Sequence, residues 1–254
     1  MLSVMIYYIA EIGLGHDGSL GIAHSYIDAL SKTGINAIKF QMHLAEHESS
    51  EFEKFRVNFS YEDKSRFDYW NRTSFNLEQW IGLKRHCEEL NLDFLVSPFC
   101  IEACKKLSEI GLKTFKIGSG ELDNYLLLDT INEIGEKVIL SSGLSNYEDL
   151  DNAINRFNKI EKQNISLLQC TTSYPTLPNQ WGLNNIKLFK EKFKNINIGY
   201  SDHSGQIYSS LAAISMGAEV IEFHVVFDKE MFGPDSKSSL TIPEVKTLVD
   251  GGNK

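Results

Sequence analysis

Ionisable and hydroxyl side chains close almost every short apolar run in this sequence. Glu11 follows "MIYYIA", Lys39 and Gln41 end "NAIKFQ", and Ser97 ends "DFLVS". Lys116, Ser119 and Glu121 lie in and just past "TFKIG", and Ser141 and Ser142 close "KVILS". Gln169, Thr171 and Thr172 finish "ISLLQC"; Ser201, Asp202 and His203 finish "INIGYS"; Glu222 and His224 belong to "EVIEFHVV". Polar groups on apolar runs cost stability unless they find partners, so their repetition points to one shared pocket. Two lysines and several hydroxyls, with "GSG" and "SSG" turns exposing backbone N–H groups, make an anion site suited to phosphate or carboxylate. His203 and His224 end neighbouring runs and are placed to share one metal ion, with Glu11, Glu121 and Asp235 as direct or water-mediated partners. Imidazole with carboxylates and waters suits Mn²⁺ or a similar octahedral ion better than structural zinc. Taken singly, each histidine reads as an ordinary hydrogen-bonded residue; the pair favours the ligand reading.

A second candidate chemistry lies near the N-terminus. Gly13, Gly15 and Gly18 stand in G-x-G-x-x-G order between an apolar run (Val4 to Ala10) and a helical pattern, which is the fingerprint of a dinucleotide-binding turn. That reading also requires an acidic residue ~20 positions on, to hold the ribose hydroxyls. The window reads "NAIKFQMH", with Lys39 and Gln41 instead. A tight strand-to-helix turn beside a crowded pocket explains the same glycines.

The elements that must position these residues alternate. Eight β-type runs are separated mostly by segments with helical periodicity, such as Leu20, Ala23, Ile27 and Leu30 on one face, closed by Gly34. Alternation of this kind means parallel strands with crossover helices, and eight units in 254 residues predict a single-domain α/β (β/α)8 TIM barrel over 1–254. A doubly wound sheet is the alternative. The connection 42–76 is long and rich in charge and aromatics, as expected of a lid over a binding site. After the eighth strand, Pro243 to Val249 leaves room for only a short helix, so the barrel is expected to close imperfectly or through a partner.

Composition narrows the function classes. A hydrophobic content of 42% with 23% charged residues is ordinary for a soluble globular protein. The net charge of -9 argues against nucleic-acid binding, while a few local lysines can still draw an anionic small molecule into a pocket. No apolar run has the ~20 residues of a membrane span, and no signal peptide is recognised, so a cytoplasmic location is expected. Cys87, Cys100, Cys104 and Cys170 fit reduced, buried thiols. The N-x-S/T sequons at Asn58, Asn71 and Asn164 carry no meaning in that compartment.

The blocks "AEIGLGHDG", "IKFQ", "SPF", "KIGSGEL", "LSSGLS", "LLQCTTSYPT", "IGYSDHS" and "GAEVIEFHVVFDKEMFGPDSKSSLT" resemble, in order and spacing, the sialic acid (N-acetylneuraminate) synthase family. The resemblance runs from about Ala10 to Leu240; "GYSDH" and "GPD" are its most specific parts. It implies a barrel that condenses phosphoenolpyruvate with an N-acetylhexosamine, such as N-acetylmannosamine, to give a nonulosonate and phosphate, with a divalent metal, Mn²⁺ or Mg²⁺. By resemblance His203 and His224 hold that metal, and Asp235 touches it through water or the sugar. Glu121 falls at the catalytic acidic position, and Lys39, Lys116, Ser119, Ser141 and Ser201 fall where phosphoenolpyruvate is gripped, with Ser97 a weaker candidate. Glu11, Gln41 and Tyr174 face the sugar. The glycines then shape the turn after strand one and cradle no nucleotide. A homodimer is also expected.

The sequence departs from the family pattern in places. "NHNG" is here "GHDG", the Asn usual after "CT" is Thr172, and "EKHF" is "EFHV". The family's C-terminal antifreeze-like domain, whose Arg reaches a partner's sugar site, has no counterpart in these residues, so that Arg is dispensable, is supplied by another protein, or its loss weakens activity. Two alternatives stand beside the synthase: a phosphoenolpyruvate-dependent aldol synthase with a different aldehyde acceptor, and a non-catalytic sugar- or anion-binding barrel subunit.

Overall fold

Eight parallel strands follow one another around a closed barrel: β1 (Tyr7–Gly13), β2 (Ala37–Met42), β3 (Asp93–Pro98), β4 (Thr114–Ile117), β5 (Lys137–Ser141), β6 (Ile165–Cys170), β7 (Asn197–Asp202) and β8 (Val220–Val226). The computed structural model describes residues 5–55 and 59–254; Val4 and Asn58 lie outside the described residues. Closure is direct. β8 pairs with β1 from Tyr7↔Val220 to Glu11↔His224, which corrects the expectation of an imperfect or partner-completed barrel. Closure depends on the ladder between the first and last strands, which needs no final helix to form. That last helix is also longer than expected, at Ile242–Gly252. It is started by a Thr241/Glu244 capping box with Pro243 in its first turn.

Helices α1 (Leu20–Leu30), α4 (Leu77–Glu89), α5 (Ile101–Glu109), α6 (Tyr125–Ile134), α7 (Tyr147–Arg156), α8 (Asn184–Lys192), α9 (Ile207–Ser215) and α10 (Ile242–Gly252) connect or follow the strands. Two short helices, α2 (Ala45–Glu48) and α3 (Arg66–Thr73), lie within the long connection after β2. A two-residue strand, β9 (Leu240–Thr241), adds to β8. Local signals set these boundaries: Asn76 and Gln79 exchange side-chain and backbone hydrogen bonds of 2.9 Å each, and α4 begins there. Among the described residues no helix is long and apolar enough to cross a membrane.

Period-two alternation divides each strand between two cores. Tyr8, Ala10, Ile38, Phe40, Val96 and Phe115 belong to the large cluster shared with the helices. Ile9, Ala37, Leu95, Ile139, Leu168 and Val220 form a separate apolar layer inside the barrel. Two residues further along the same strands come Glu11, Lys39, Ser97, Ser141, Cys170 and Glu222. The apolar layer is therefore the floor on which the polar residues rest. The apolar layer closes the barrel beneath these residues, and they collect at its C-terminal end.

The connection 42–76 carries its own small core. Ala45, Tyr69 and Trp70 are buried together with Leu14, Phe55, Phe59, Phe67 and Phe232 packed on them. It is anchored to the β1–α1 turn: Arg72 donates to Asp17 Oδ1 at 2.8 Å and to Asp63. Gly18 has φ +78, and a Cβ there would meet Arg72 O at 2.7 Å. His16 is buried, accepts the Gly18 N–H at 3.1 Å and stacks on Phe75; burial pushes its pKa down to about 4 and keeps it neutral. The glycine turn is thus filled by protein.

Candidate active site

At the C-terminal end of the barrel lies a cavity of about 260 Å³. Its lining gathers Glu11, Lys39, Gln41, Ser97, Lys116, Ser119, Ser141, Thr172, Tyr174, Ser201, His203 and His224, which are twelve of the fourteen residues singled out from sequence. Glu121 and Asp235 stand outside the lining. Size alone does not mark the site. A larger hollow of about 700 Å³ lies on the outer surface between α6 and α7, where charges such as Arg156 and Asp129 (2.8 Å) already neutralise each other.

Two buried lysines occupy the floor, each 3% exposed. Lys39 Nζ lies 2.8 Å from Glu11 Oε2 and donates to Ser97 Oγ at 3.1 Å. Lys116 Nζ donates to Ser141 Oγ at 2.7 Å and to the Ile117 carbonyl at 3.1 Å, with Glu222 Oε1 at 3.6 Å. Burial opposes the charge on both. For Lys39 the Glu11 and Glu222 carboxylates outweigh it and the pKa rises; for Lys116 burial prevails and the pKa falls. Burial would likewise raise Glu222, but Lys116 and Lys39 pull it down to about 2, so it is a carboxylate. Ser201 Oγ donates to it at 3.1 Å.

The opposite wall carries the histidines, their ring centroids 5.4 Å apart. His203 Nδ1 lies 2.8 Å from the Thr171 carbonyl and must donate to it, and Nε2 lies 3.1 Å from the Tyr174 hydroxyl; burial would lower the His203 pKa, but Cys170, the Thr171 bond and Glu222 outweigh it and raise it. A ring held this way through one nitrogen presents the other for ligation. His224 Nδ1 lies 3.8 Å from Asp235 Oδ2. Burial lowers the His224 pKa, against the pull of Asp235. Among the described residues no three His, Cys, Asp or Glu side chains converge to hold a metal ion. The two imidazoles are the nitrogen donors of this wall, and any ion they shared would need water or substrate oxygens to complete its shell.

Glu121 sits in the single 3-10 turn Ser119–Glu121 after β4, and Asn124 Nδ2 donates to its carboxylate at 2.9 Å. Burial raises its pKa, although the Asn124 bond opposes this. Gln169 and Asp202, expected to join the pocket as strand-end residues, face away from it. Gln169 binds the Trp181 carbonyl and Asn185, while Asp202 accepts from Ser204, Ser209 and Ser210 around the start of α9.

Three lining side chains, Cys170, His43 and Phe99, belong to no set read from the sequence as pocket-forming, and Glu222, read there as a strand-end residue without a role, lines the cavity as well. Cys170 accepts from Ser119 Oγ at 3.4 Å; burial raises its pKa, but His203, Ser119 and Lys116 outweigh this and lower it. All four share the strand parity of residues already identified. Glu222 lies two before His224, Cys170 two before Thr172, His43 two after Gln41, and Phe99 two after Ser97.

The residues 26–254 match the model of the NeuB family. The chain is 38% identical over 245 residues to the N,N'-diacetyllegionaminic acid synthase of Campylobacter jejuni, covering 94% of this chain and 73% of that protein. It is 31% identical over 251 residues to the N-acetylneuraminate-9-phosphate synthase of Homo sapiens, covering 96% of this chain and 68% of that one. Its fold superimposes with a TM-score of 0.87, at 32% identity, on the N-acetylneuraminic acid (sialic acid) synthetase of Leptospira borgpetersenii in complex with citrate, covering 98% of this chain and 82% of that chain.

Proposed function

The chain belongs to the NeuB family, and we propose that it condenses phosphoenolpyruvate with an N-acetylated amino sugar to give a sialic acid-type nonulosonate and phosphate. The observation that carries this reading is the division of one cavity by strand order. Strands β2 to β5 supply Lys39, Ser97, Lys116 and Ser141, an ammonium-and-hydroxyl side suited to phosphate and carboxylate. Strands β7, β8 and β1 supply His203, His224 and Glu11, an imidazole-and-carboxylate side suited to a polyhydroxy aldehyde. The similarity to synthases of N-acetylneuraminate 9-phosphate and of diacetyllegionaminate supports the same substrate classes.

In this reading Lys116, Ser141 and Ser119 bind the phosphate and carboxylate of phosphoenolpyruvate, with Lys39, Ser97 and Ser201 completing the cationic floor. Glu222 does not compete for the anion; it keeps the two lysines charged in a buried place. Glu11, Gln41 and Tyr174 orient the open-chain sugar, and Thr172 takes the remaining contact on the β6 side. His203 and His224 would hold a divalent metal, Mn²⁺ or Mg²⁺, which when bound supplies Lewis-acid polarisation of the aldehyde oxygen. The enol carbon forms the new bond to the aldehyde carbon, water adds to the adjacent enol-phosphate carbon, and the C–O bond breaks to release phosphate. Glu121, its pKa raised by burial, takes the proton of that water. Holding both substrates against one wall each and excluding other water supplies much of the rate gain. The segment 42–76 acts as the cover, since cavity-lining His43 stacks on its Trp70.

Phosphate release measured with phosphoenolpyruvate and a panel of N-acetylated amino sugars tests the reading. Release that depends on one of those sugars supports it. Phosphoenolpyruvate binding without turnover on any sugar favours the non-catalytic barrel, and turnover with simpler aldehydes alone favours another aldol synthase.

A further inference from the structure

We propose that His43 is a positioning residue that fixes the amide of Gln41 and thereby sets which hydrogen-bonding group the acceptor side of the cavity presents. The proposal rests on the reading of Gln41 and Glu11 as sugar contacts. Its basis is a chain of hydrogen bonds whose polarity is determined at both ends. Lys39, which can only donate, lies 2.8 Å from Glu11 Oε2, so Glu11 is an acceptor. Glu11 Oε1 lies 2.7 Å from Gln41 Nε2, so the Gln41 amide must turn its NH2 toward Glu11. Its carbonyl oxygen is then left 3.1 Å from His43 Nε2, and that nitrogen must donate. On the other side of the ring, His43 Nδ1 lies 2.7 Å from Glu48 Oε2, and Glu48 Oε1 already accepts the Leu44 N–H at 2.8 Å.

Nδ1 thus faces the Glu48 carboxylate and Nε2 the Gln41 carbonyl, and the hydrogen on Nε2 is the one that fixes the amide. The ring is held in place between Trp70, 4.3 Å away at 5°, and Phe99, 4.1 Å away at 14°. Side-chain exposures of 9% for His43 and 5% for Glu48 keep water from competing.

The consequence falls on Gln41. One amide N–H is used by Glu11 and the carbonyl by His43, so the N–H that remains on this lining residue is a donor for an oxygen of the acceptor sugar. Without His43 the carbonyl loses its donor, and the amide is held by the Glu11 bond alone, free to swing about that contact. A Cβ at residue 13 would come within 3.3 Å of Gln41 Nε2, and glycine leaves the amide that space.

His43→Phe keeps the aromatic sandwich and deletes the donor to Gln41; His43→Gln restores an N–H toward it. With N-acetylmannosamine as probe, His43→Phe is expected to raise the Michaelis constant for the sugar up to roughly tenfold, the worth of one hydrogen bond, and to leave that for phosphoenolpyruvate unchanged. His43→Gln should recover most of the loss. A His43→Phe variant with both constants unchanged, or both raised equally, overturns the proposal. Nitrogen NMR of the wild-type imidazoles gives a readout independent of turnover. Hydrogen on His43 Nε2 supports the chain, and a bare Nε2 overturns it. If the wild type releases no phosphate with any amino sugar, the proposed function fails, while the NMR result still decides the chain.

Discussion

Replacing Lys116 with methionine should weaken phosphoenolpyruvate binding far more than sugar binding. The ammonium is buried beside Ser141 and the Ile117 carbonyl, on the hydroxyl-rich side of the cavity. Methionine fills similar volume but loses one charge-assisted contact to the substrate's anionic groups. Such contacts are worth about 1.5–3 kcal/mol, or roughly ten- to a hundredfold in affinity. The cost to folding should be smaller than the ~3–5 kcal/mol of a fully orphaned buried charge, because Glu222 keeps the Ser201 hydroxyl and Lys39 at 4.0 Å. Burial also opposes the charge on Lys116 itself, so removing it relieves a desolvation cost. Calorimetric titration of phosphoenolpyruvate into wild type and variant without sugar, with thermal melts in parallel, separates the two effects. Unchanged phosphoenolpyruvate affinity with a raised Michaelis constant for the sugar would refute the reasoning, because the two subsites would then be reversed.

Three further outcomes are expected. Chelation should abolish turnover and Mn²⁺ should restore it better than Ca²⁺, which prefers an all-oxygen shell; His203→Ala or His224→Ala should fold normally and fail to respond to added metal. Full activity in a metal-free His203→Ala/His224→Ala protein would exclude both as ligands. The depressed pKa of Glu222, about 2 against 4.5, means that its carboxylate stabilises the fold fully above pH ~4.5 and less as pH falls toward 2. Between pH 6 and pH 3 the wild type should therefore lose more stability to urea than Glu222→Gln, and parallel losses would contradict the ion pairing. Gly18→Ala should destabilise by roughly 1–3 kcal/mol, since its left-handed φ and the Arg72 carbonyl leave no place for a methyl group; an unchanged melting temperature would show that the turn is less tightly packed.

Much of this site was legible because strands have a period of two. Short apolar runs separated by helical segments located all eight strands to within a few residues, and residues such as Lys39, Lys116 and Ser141 had to lie on one side once the barrel closed. Adjacent residues at a strand end cannot both do so. Ser201 and Asp202 were read together, yet the pleat turns Asp202 outward onto α9, and Gln169 is lost from the pocket for the same reason. Following parity strictly would have recovered Cys170 from Thr172 and His43 from Gln41. Parity ends where strands end, and no period predicts the direction of a carboxylate in a 3-10 turn such as Glu121, or of Asp235 in the loop after β8. The glycine fingerprint, set aside in the sequence because Lys39 and Gln41 stand where an acidic residue is required, has a related explanation. The same φ values serve any tight strand-to-helix turn, and only the packing of Arg72 and Phe75 shows that this one is filled by protein.

Which bond breaks is the central question, because it separates condensation from every phosphatase-like or kinase-like alternative in a cavity built to hold phosphate. Phosphoenolpyruvate carrying ¹⁸O at the bridging position, incubated with Mn²⁺ and the amino sugar that supports turnover, decides it by mass spectrometry of the products. If water adds to carbon, the bridging oxygen leaves with phosphate, and the label appears in inorganic phosphate while the nonulosonate carries none. Label retained in the organic product would mean attack at phosphorus and would contradict the account.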